Sequence, residues 1–252
     1  MVSTGSKNFL DTNLAILRSK LLLFGIALLL SVVSLILSIV AVSKIQYFAI
    51  AFIVSSLLSI VSLTVAIRDV YTSYNMLERQ KKAEDTVYNL LAKRLPKEYT
   101  IYRSLSLGFG DVDLIVVGPK GIFVIEVKSN RGTIYLNESG RIVVKDGDTA
   151  TMQYRRQVIS ESNRLKRFLD AETGSKNFVF PVLAFPFATV MRDTYLTNPH
   201  DRYKVPILGL NGLVDYIVSQ EVTEMKDKEL TAINEAMKRI SEGKVTFDEQ
   251  EK

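Results

Sequence analysis

Two long apolar runs stand near the beginning of the chain, with charged residues at their borders. Leu21–Ser43 and Ile45–Ile67 contain no charged side chain. As helices, these runs would each be about 35 Å long, which is enough to cross a hydrocarbon core of about 30 Å. Only Lys44 separates them. The pattern therefore predicts a transmembrane helical hairpin over residues 21–67.

Two other interpretations of these runs fit their length less well. A cleaved signal peptide has a shorter apolar core, and a second span does not follow it at once. A pair of core helices in a soluble protein rarely goes so long without strongly polar residues. No charge within either run marks a path for an ion or a substrate. The hairpin is thus predicted to be an anchor and not a transporter.

Basic residues on both sides of the hairpin indicate its orientation. The loop between the two runs holds only Lys44, whereas several basic residues precede the first run or follow the second: Lys7, Arg18, Lys20, Arg68, Arg79, Lys81 and Lys82. Positively charged flanks tend to stay in the cytoplasm. We therefore expect a cell-membrane protein with two spans and both termini in the cytoplasm.

After Arg68 the composition becomes mixed, and the hydrophobic pattern changes from helical to strand-like spacing. The predicted elements are helix Val70–Leu95, strands Thr100–Leu107, Asp111–Val117 and Ile122–Lys128, a small hairpin Thr133–Lys145, helix Thr151–Leu169, a strand in Phe178–Val190 interrupted at Pro186, strand Val205–Leu208, and helices Asn211–Ser219 and Glu224–Ile240. This order predicts an α/β domain of α-β-β-β-α-β type with a mixed sheet.

The same pattern suggests where the parts of the chain begin and end. We expect a cytoplasmic segment at 1–20, the membrane hairpin at 21–67, a linking amphipathic helix at 68–95, the core of the domain at 96–220, and a C-terminal helix with a polar tail at 221–252.

The stretch GDVDLIVVGPKGIFVIEVKSNRG holds two apolar strands around a Gly-Pro-Lys-Gly turn. If Pro119 and Lys120 are the two turn residues, Gly118 pairs with Gly121 and Asp113 comes opposite Glu126. Asp111 then lies opposite Lys128, and the charged groups share one face of the sheet. A turn one residue longer would move Glu126 to the other face.

Like charges directly opposite each other destabilise a sheet, and an apolar setting raises the cost. A divalent cation would neutralise them. The chain has no cysteine and a single histidine, His200, so a metal site would use oxygen ligands, which suit Mg²⁺ or Mn²⁺. In the alternative interpretation, Asp111 and Lys128 form a cross-strand ion pair, and Asp113 and Glu126 lie at solvated strand ends.

An Asp followed by E-x-K on the next strand, after a helix that carries Glu, resembles the PD-(D/E)XK or restriction-endonuclease-like nucleases. More narrowly, DLIVVGPKGIFVIEVKSNRGTI resembles the nuclease-related domain, NERD. The resemblance covers roughly Gln80 to Ile217 and implies a metal-dependent hydrolysis of phosphodiester bonds. It matches the family's catalytic positions to Glu84, Asp113, Glu126, Lys128 and Gln157. The family's Asn-Pro before the glutamine is absent, which leaves Gln153 as a rival of Gln157.

The residues themselves suggest how such a site would work. Glu84, Asp113 and Glu126 offer oxygen ligands for Mg²⁺ or Mn²⁺, and the Val127 carbonyl is a fourth candidate. The metal would polarise phosphate and lower the pKa of attacking water. Lys128 would position that water or stabilise the developing charge.

Basic residues on the helix after the small hairpin are candidates for contacts with nucleic-acid phosphates: Arg155, Arg156, Arg164, Lys166 and Arg167. A solvated basic face explains them equally well. The net charge of +5 suits an anionic partner or a membrane surface without identifying either. Two further hypotheses therefore remain: a catalytically silent domain that binds nucleic acid or protein, and a structural membrane protein. DNA and RNA are not distinguished, and a homo-oligomer is left open.

Overall fold

The computed structural model describes residues 9–41, 46–106, 111–137, 142–145, 153–174, 176, 178–191, 195–196 and 204–243. The chain divides into two compact units, with the boundary between Arg79 and Gln80. The first is helical and the second is strand-rich. The predicted class, N-terminal helices followed by an α/β domain with a mixed sheet, is confirmed.

Helices α1 (Phe9–Ala41) and α2 (Gln46–Arg94) contain the two apolar runs. Each has a segment that is long and apolar enough to cross a membrane. Within the most apolar window, 0% of the first segment and 6% of the second are buried. Their large apolar side chains, such as Leu22 and Leu58, are instead exposed. The apolar windows of the two helices are therefore not packed into a protein core.

Side-chain contacts join α1 to the part of α2 in the same unit. The Arg18 guanidinium donates hydrogen bonds of 3.1 and 2.9 Å to the Tyr74 hydroxyl. The hydroxyls of Ser34 and Ser56 lie 3.4 Å apart. Small hydroxyl residues let helices approach closely, so these contacts fit an antiparallel helical hairpin.

The strand-rich unit contains two sheets and three further helices. Its elements are β1 (Thr100–Ser106), β2 (Asp111–Gly118), β3 (Gly121–Val127), β4 (Gly132–Leu136), β5 (Ile142–Lys145), α3 (Gln153–Thr173), β6 (Val179–Ala184), β7 (Ala188–Val190), β8 (Tyr195–Leu196), β9 (Ile207–Leu208), α4 (Leu210–Val218) and α5 (Asp227–Ser241).

The main sheet has the strand order β1-β2-β3-β6-β9-β8. Its first three strands are antiparallel, whereas β6 runs parallel to both β3 and β9. The predicted strand over Phe178–Val190 forms two strands, because the chain turns at Pro186. Its second half, β7, leaves the main sheet and pairs with β4 in a three-stranded sheet. Strand β8 was not predicted.

Apolar residues of the central strands pack on both faces of the main sheet. Val124 and Ile122 join a core that includes Val158 and Leu165 of α3. Phe123 and Ile125 lie in a second core with Val87 and Leu91 of α2. The runs LIVV and IFVI are completely buried, as expected for strands covered on two sides. This arrangement brings one helix to each side of the β2–β3 hairpin.

Candidate active site

The β2–β3 turn has the predicted register. Gly118 pairs with Gly121, and the ladder continues outward to Leu114 opposite Ile125. Gly121 has a φ of +129°, and a Cβ there would lie 2.6 Å from the Phe180 ring. Both features require glycine. The next positions outward are Asp113 and Glu126, so the turn places these two carboxylates at the same end of the hairpin.

Asp113 is tied to the neighbouring strand. Its Oδ2 accepts a hydrogen bond of 2.7 Å from the backbone N–H of Val127. Burial raises the pKa of Asp113, and the charges of Glu126 and Glu84 raise it further, against the opposing effect of that hydrogen bond. Asp113 is therefore close enough to Glu84 and Glu126 for their charges to shift its pKa.

Glu126 and Lys128 form an ion pair on the same strand end. Glu126 is 2% exposed, and its Oε1 accepts a hydrogen bond from the Lys128 ammonium. Its Oε2 is buried and has no hydrogen-bond partner among the described residues. Burial raises the pKa of Glu126, against the lowering effects of Lys128 and of hydrogen bonds with Gln157 and Glu161. Burial alone would lower the pKa of Lys128, but the Glu126 charge outweighs it and the pKa is raised.

This ion pair takes the place of the Asp111–Lys128 ion pair in the alternative interpretation. Asp111 is exposed and lies opposite Ser106 of β1. Lys128 pairs with Glu126, two residues away, because side chains at i and i+2 share a face. The alternative interpretation, with Glu126 at a solvated strand end, is wrong because this side chain is almost completely buried.

Glu84 reaches the site from α2 together with Gln80, one turn earlier on the helix. Glu84 is 2% exposed. The Gln80 amide donates hydrogen bonds of 3.2 Å to Glu84 Oε1 and 2.7 Å to the Val127 carbonyl. Burial raises the pKa of Glu84 to about 7, while the hydrogen bond from Gln80 lowers it. One amide thus links two oxygens that were predicted as metal ligands.

Helix α3 approaches Lys128 from the other side. The Lys128 ammonium donates a hydrogen bond of 3.3 Å to Gln157 Oε1 and lies 4.6 Å from the centre of the Tyr154 ring. Gln157 Nε2 in turn donates a hydrogen bond of 3.1 Å to Glu161 Oε1. Gln157 therefore contacts the predicted site. The side chain of its rival, Gln153, lies outside the described residues.

Sequence reasoning did not select Gln80, Glu161 or Tyr154 as site residues. A signal for the first two was present. Gln80 stands four residues before Glu84, and Glu161 stands four residues after Gln157. Residues at this spacing are neighbours on one face of a helix. A polar residue one turn from a predicted site residue is thus a candidate for the same site.

The donor set suits a hard cation, but the side chains do not enclose one. The charge of Glu126 raises the pKa values of Glu84 and Asp113, and Glu126 Oε2 has no hydrogen-bond partner among the described residues. Carboxylate and carbonyl oxygens are the ligands that Mg²⁺ accepts. In the described part of the chain, however, no three acidic or histidine side chains are grouped closely enough to hold a metal ion. Binding a cation would require these side chains to rotate.

The five predicted phosphate-binding residues are distributed over the solvent side of α3. Arg156 and Arg167 are exposed, and the other three are half-buried. Lys166 forms an ion pair of 2.8 Å with Asp170. Burial lowers the pKa of Arg155. A basic side of α3 therefore exists, but part of its charge is already balanced within the helix.

The comparison with protein families decides the assignment of this unit. Residues 79–186 match the model of NERD, the nuclease-related domain. These residues form a nuclease-related domain. The matched range contains the α2 end, the β2–β3 hairpin, α3 and β6, and hence every predicted site residue. No curated protein and no solved structure matches the chain. The resemblance inferred from the hairpin motif is thus confirmed, and the NERD domain implies a function related to nucleases.

Proposed function

We propose that the chain is a membrane-anchored nuclease that hydrolyses phosphodiester bonds of DNA or RNA and depends on Mg²⁺ or Mn²⁺. One observation carries the proposal. In a nuclease-related domain, three acidic side chains from α2, β2 and β3 lie within electrostatic range of one another, beside a lysine on β3. Buried like charges are costly unless a cation or a proton neutralises them.

The proposed metal-binding residues are Glu84, Asp113, Glu126 and the carbonyl of Val127. Bound there, Mg²⁺ would polarise a phosphate oxygen and lower the pKa of the attacking water. Gln80 now donates to both Glu84 and Val127, so its amide must turn away when these oxygens take up a cation. The hydrogen bond from Val127 N–H holds the Asp113 carboxylate at the strand end.

Lys128 is the proposed catalytic cation. Its ammonium can donate to a nonbridging phosphate oxygen or to the attacking water, and so stabilise charge that develops during cleavage. Glu126, Gln157 and Tyr154 surround the ammonium and restrict its position. The basic residues of α3, led by the exposed Arg156 and Arg167, would contact backbone phosphates of the nucleic acid.

A nuclease assay tests the proposal. The full chain in detergent is incubated with single-stranded DNA, double-stranded DNA and single-stranded RNA. We expect cleavage with Mg²⁺ or Mn²⁺, none with EDTA, and none with Ca²⁺, although Ca²⁺ should bind. The preferred substrate then distinguishes DNA from RNA. Absence of cleavage of all three substrates with either activating cation would contradict the proposed activity.

A catalytically silent domain is a second candidate, and one feature of the site favours it. Lys128 and Gln80 already satisfy oxygens of Glu126, Glu84 and Val127 without a metal. In that case the chain would bind nucleic acid at low salt, with an affinity that falls steeply as the salt concentration rises. Binding without cleavage in the assay above would favour this candidate.

The bilayer is the proposed partner of α1 and of the apolar part of α2. Arg18 near the first run and the basic residues after Ile67 predict that the NERD domain lies in the cytoplasm. Protease added to intact cells should leave the domain uncut, whereas protease added to inverted membrane vesicles should digest it. Digestion in intact cells would contradict this orientation.

A further inference from the structure

Glu161 is a buried acid beside the proposed active site that the nuclease mechanism does not use. It is 8% exposed and lies on the face of α3 that also buries Val158 and Leu165. Its Oε1 accepts the hydrogen bond from Gln157. Its Oε2 is buried without a hydrogen-bond partner among the described residues. A buried acid with an unpartnered oxygen is costly to the fold, so its contact with Gln157 calls for an explanation.

The chemistry of the three groups permits one orientation of the Gln157 amide. An ammonium group only donates hydrogen bonds, and Glu161, whose carboxyl group also hydrogen-bonds Glu126, presents its Oε1 to Gln157 as an acceptor. Gln157 lies between the two: its Oε1 faces Lys128 and its Nε2 faces Glu161. Because Gln157 is exposed, water would otherwise satisfy its amide in either orientation. Glu161 thus selects the orientation in which the amide oxygen is offered to Lys128.

We propose that Glu161 is a positioning residue that acts through Gln157 to hold the Lys128 ammonium in place. The proposal rests on the nuclease function in so far as Lys128 acts on phosphate or water. A glutamine at position 161 would remove this selection, because its amide can donate as well as accept. Gln157 could then rotate, and Lys128 would lose an acceptor.

The kinetic test uses Glu161→Gln in the full chain. We expect kcat to fall about 10- to 100-fold, as for other partners that orient a reacting group, with KM and Mg²⁺ affinity unchanged. Thermal stability should be retained, since glutamine has the same size and keeps an oxygen that can accept the hydrogen bond from Gln157. Glu172→Gln is the matched control, because Glu172 lies on the same helix and pairs with Arg239 away from the site. A kcat of Glu161→Gln within threefold of the parent would overturn the proposal.

A second variant, Gln157→Leu, tests whether Glu161 acts on Lys128 through Gln157. Position 157 is exposed. If Glu161 acts through Gln157, Gln157→Leu should lower kcat to a similar extent, and adding Glu161→Gln should lower it no further. A direct effect of the Glu161 charge on Lys128 would persist in the Gln157→Leu background. A full additional loss in the double variant would therefore contradict the proposed route.

A measurement without nucleic acid separates this proposal from the nuclease function. Acetylation of individual lysines is followed by mass spectrometry at fixed pH. Loss of one hydrogen bond should make Lys128 about fivefold more reactive in Glu161→Gln, while Lys120 in the same hairpin serves as the internal control. The parent protein could show no cleavage while Glu161→Gln still increases the reactivity of Lys128, with no such increase in the Gln157→Leu background. In that case the nuclease proposal fails and the positioning role of Glu161 stands. An unchanged Lys128 reactivity would refute the positioning role.

Discussion

Lys128→Ala should abolish most of the cleavage activity while leaving the metal in place. The expected loss in kcat is about 10²- to 10³-fold, the usual effect of removing one group that stabilises developing charge. Lys128 donates no metal ligand, so Mg²⁺ affinity should be unchanged or higher, because the ammonium no longer competes for Glu126 Oε1. Isothermal titration measures the affinity, and single-turnover cleavage measures the rate.

The same substitution should lower the stability of the metal-free protein. It leaves the buried Glu126 carboxylate without its cation, which costs about 1–3 kcal/mol. Addition of Mg²⁺ should restore part of the loss. Lys120→Ala is the matched control, because Lys120 lies in the turn of the same hairpin and pairs with Glu224 at 3.0 Å. If Lys128→Ala loses Mg²⁺ binding together with cleavage, Lys128 has a structural role in the site and not a catalytic one.

The hairpin shows how far a local pattern can predict a site. Counting outward from Pro119 and Lys120 gave the correct register, because the turn has two residues and Gly121 adopts a conformation that other residues rarely adopt. That register alone places Asp113 and Glu126 at one end of the hairpin. The order of helices and strands was predictable for a similar reason, since each element has its own hydrophobic period.

Hydrogen-bond partners across elements could not be predicted in the same way. The contacts of Gln80 with Val127 and of Lys128 with Gln157 join residues 47 and 29 positions apart. They depend on how α2 and α3 are rotated against the sheet, which is decided by the packing of the whole core. For the same reason, the sequence did not reveal that β7 pairs with β4 in the smaller sheet.

Asp113→Asn separates a site built for a cation from a structural charge cluster. Asparagine keeps an oxygen that can accept the hydrogen bond from Val127 N–H, but it carries no charge. The variant should lose cleavage and most of its Mg²⁺ affinity. Without metal it should be more stable than the parent by about 1 kcal/mol, because one of several mutually repelling carboxylates has been removed. In a cluster stabilised by ion pairs, the same change would be destabilising.

The stability that Asp113→Asn gains without metal should increase with pH. Burial and neighbouring charges raise the folded-state pKa of Asp113, of Glu84 to about 7 and of Glu161 to about 8. The folded protein therefore binds these protons more tightly than the unfolded chain, whose carboxyl pKa values are about 4. The contribution of these three acids to metal-free stability is greatest below a pH of about 4 and falls as the pH rises toward 8. Asp113→Asn lacks one of these acids and therefore loses less stability as the pH rises. Its stability relative to the parent should thus increase from pH 5 to pH 8.

Thermal unfolding of the full chain in detergent, with EDTA and with Mg²⁺, measures both effects across this pH range. Mg²⁺ should raise the Tm of the parent more at pH 8 than at pH 5, because binding requires ionised carboxylates. It should have little effect on Asp113→Asn. Asp111→Asn is the matched control: Asp111 stands two residues away on the same strand but is exposed, so its Tm should follow the parent. An Asp113→Asn variant that is less stable than the parent at every pH, and whose Tm still responds to Mg²⁺, would show that Asp113 belongs to a structural cluster.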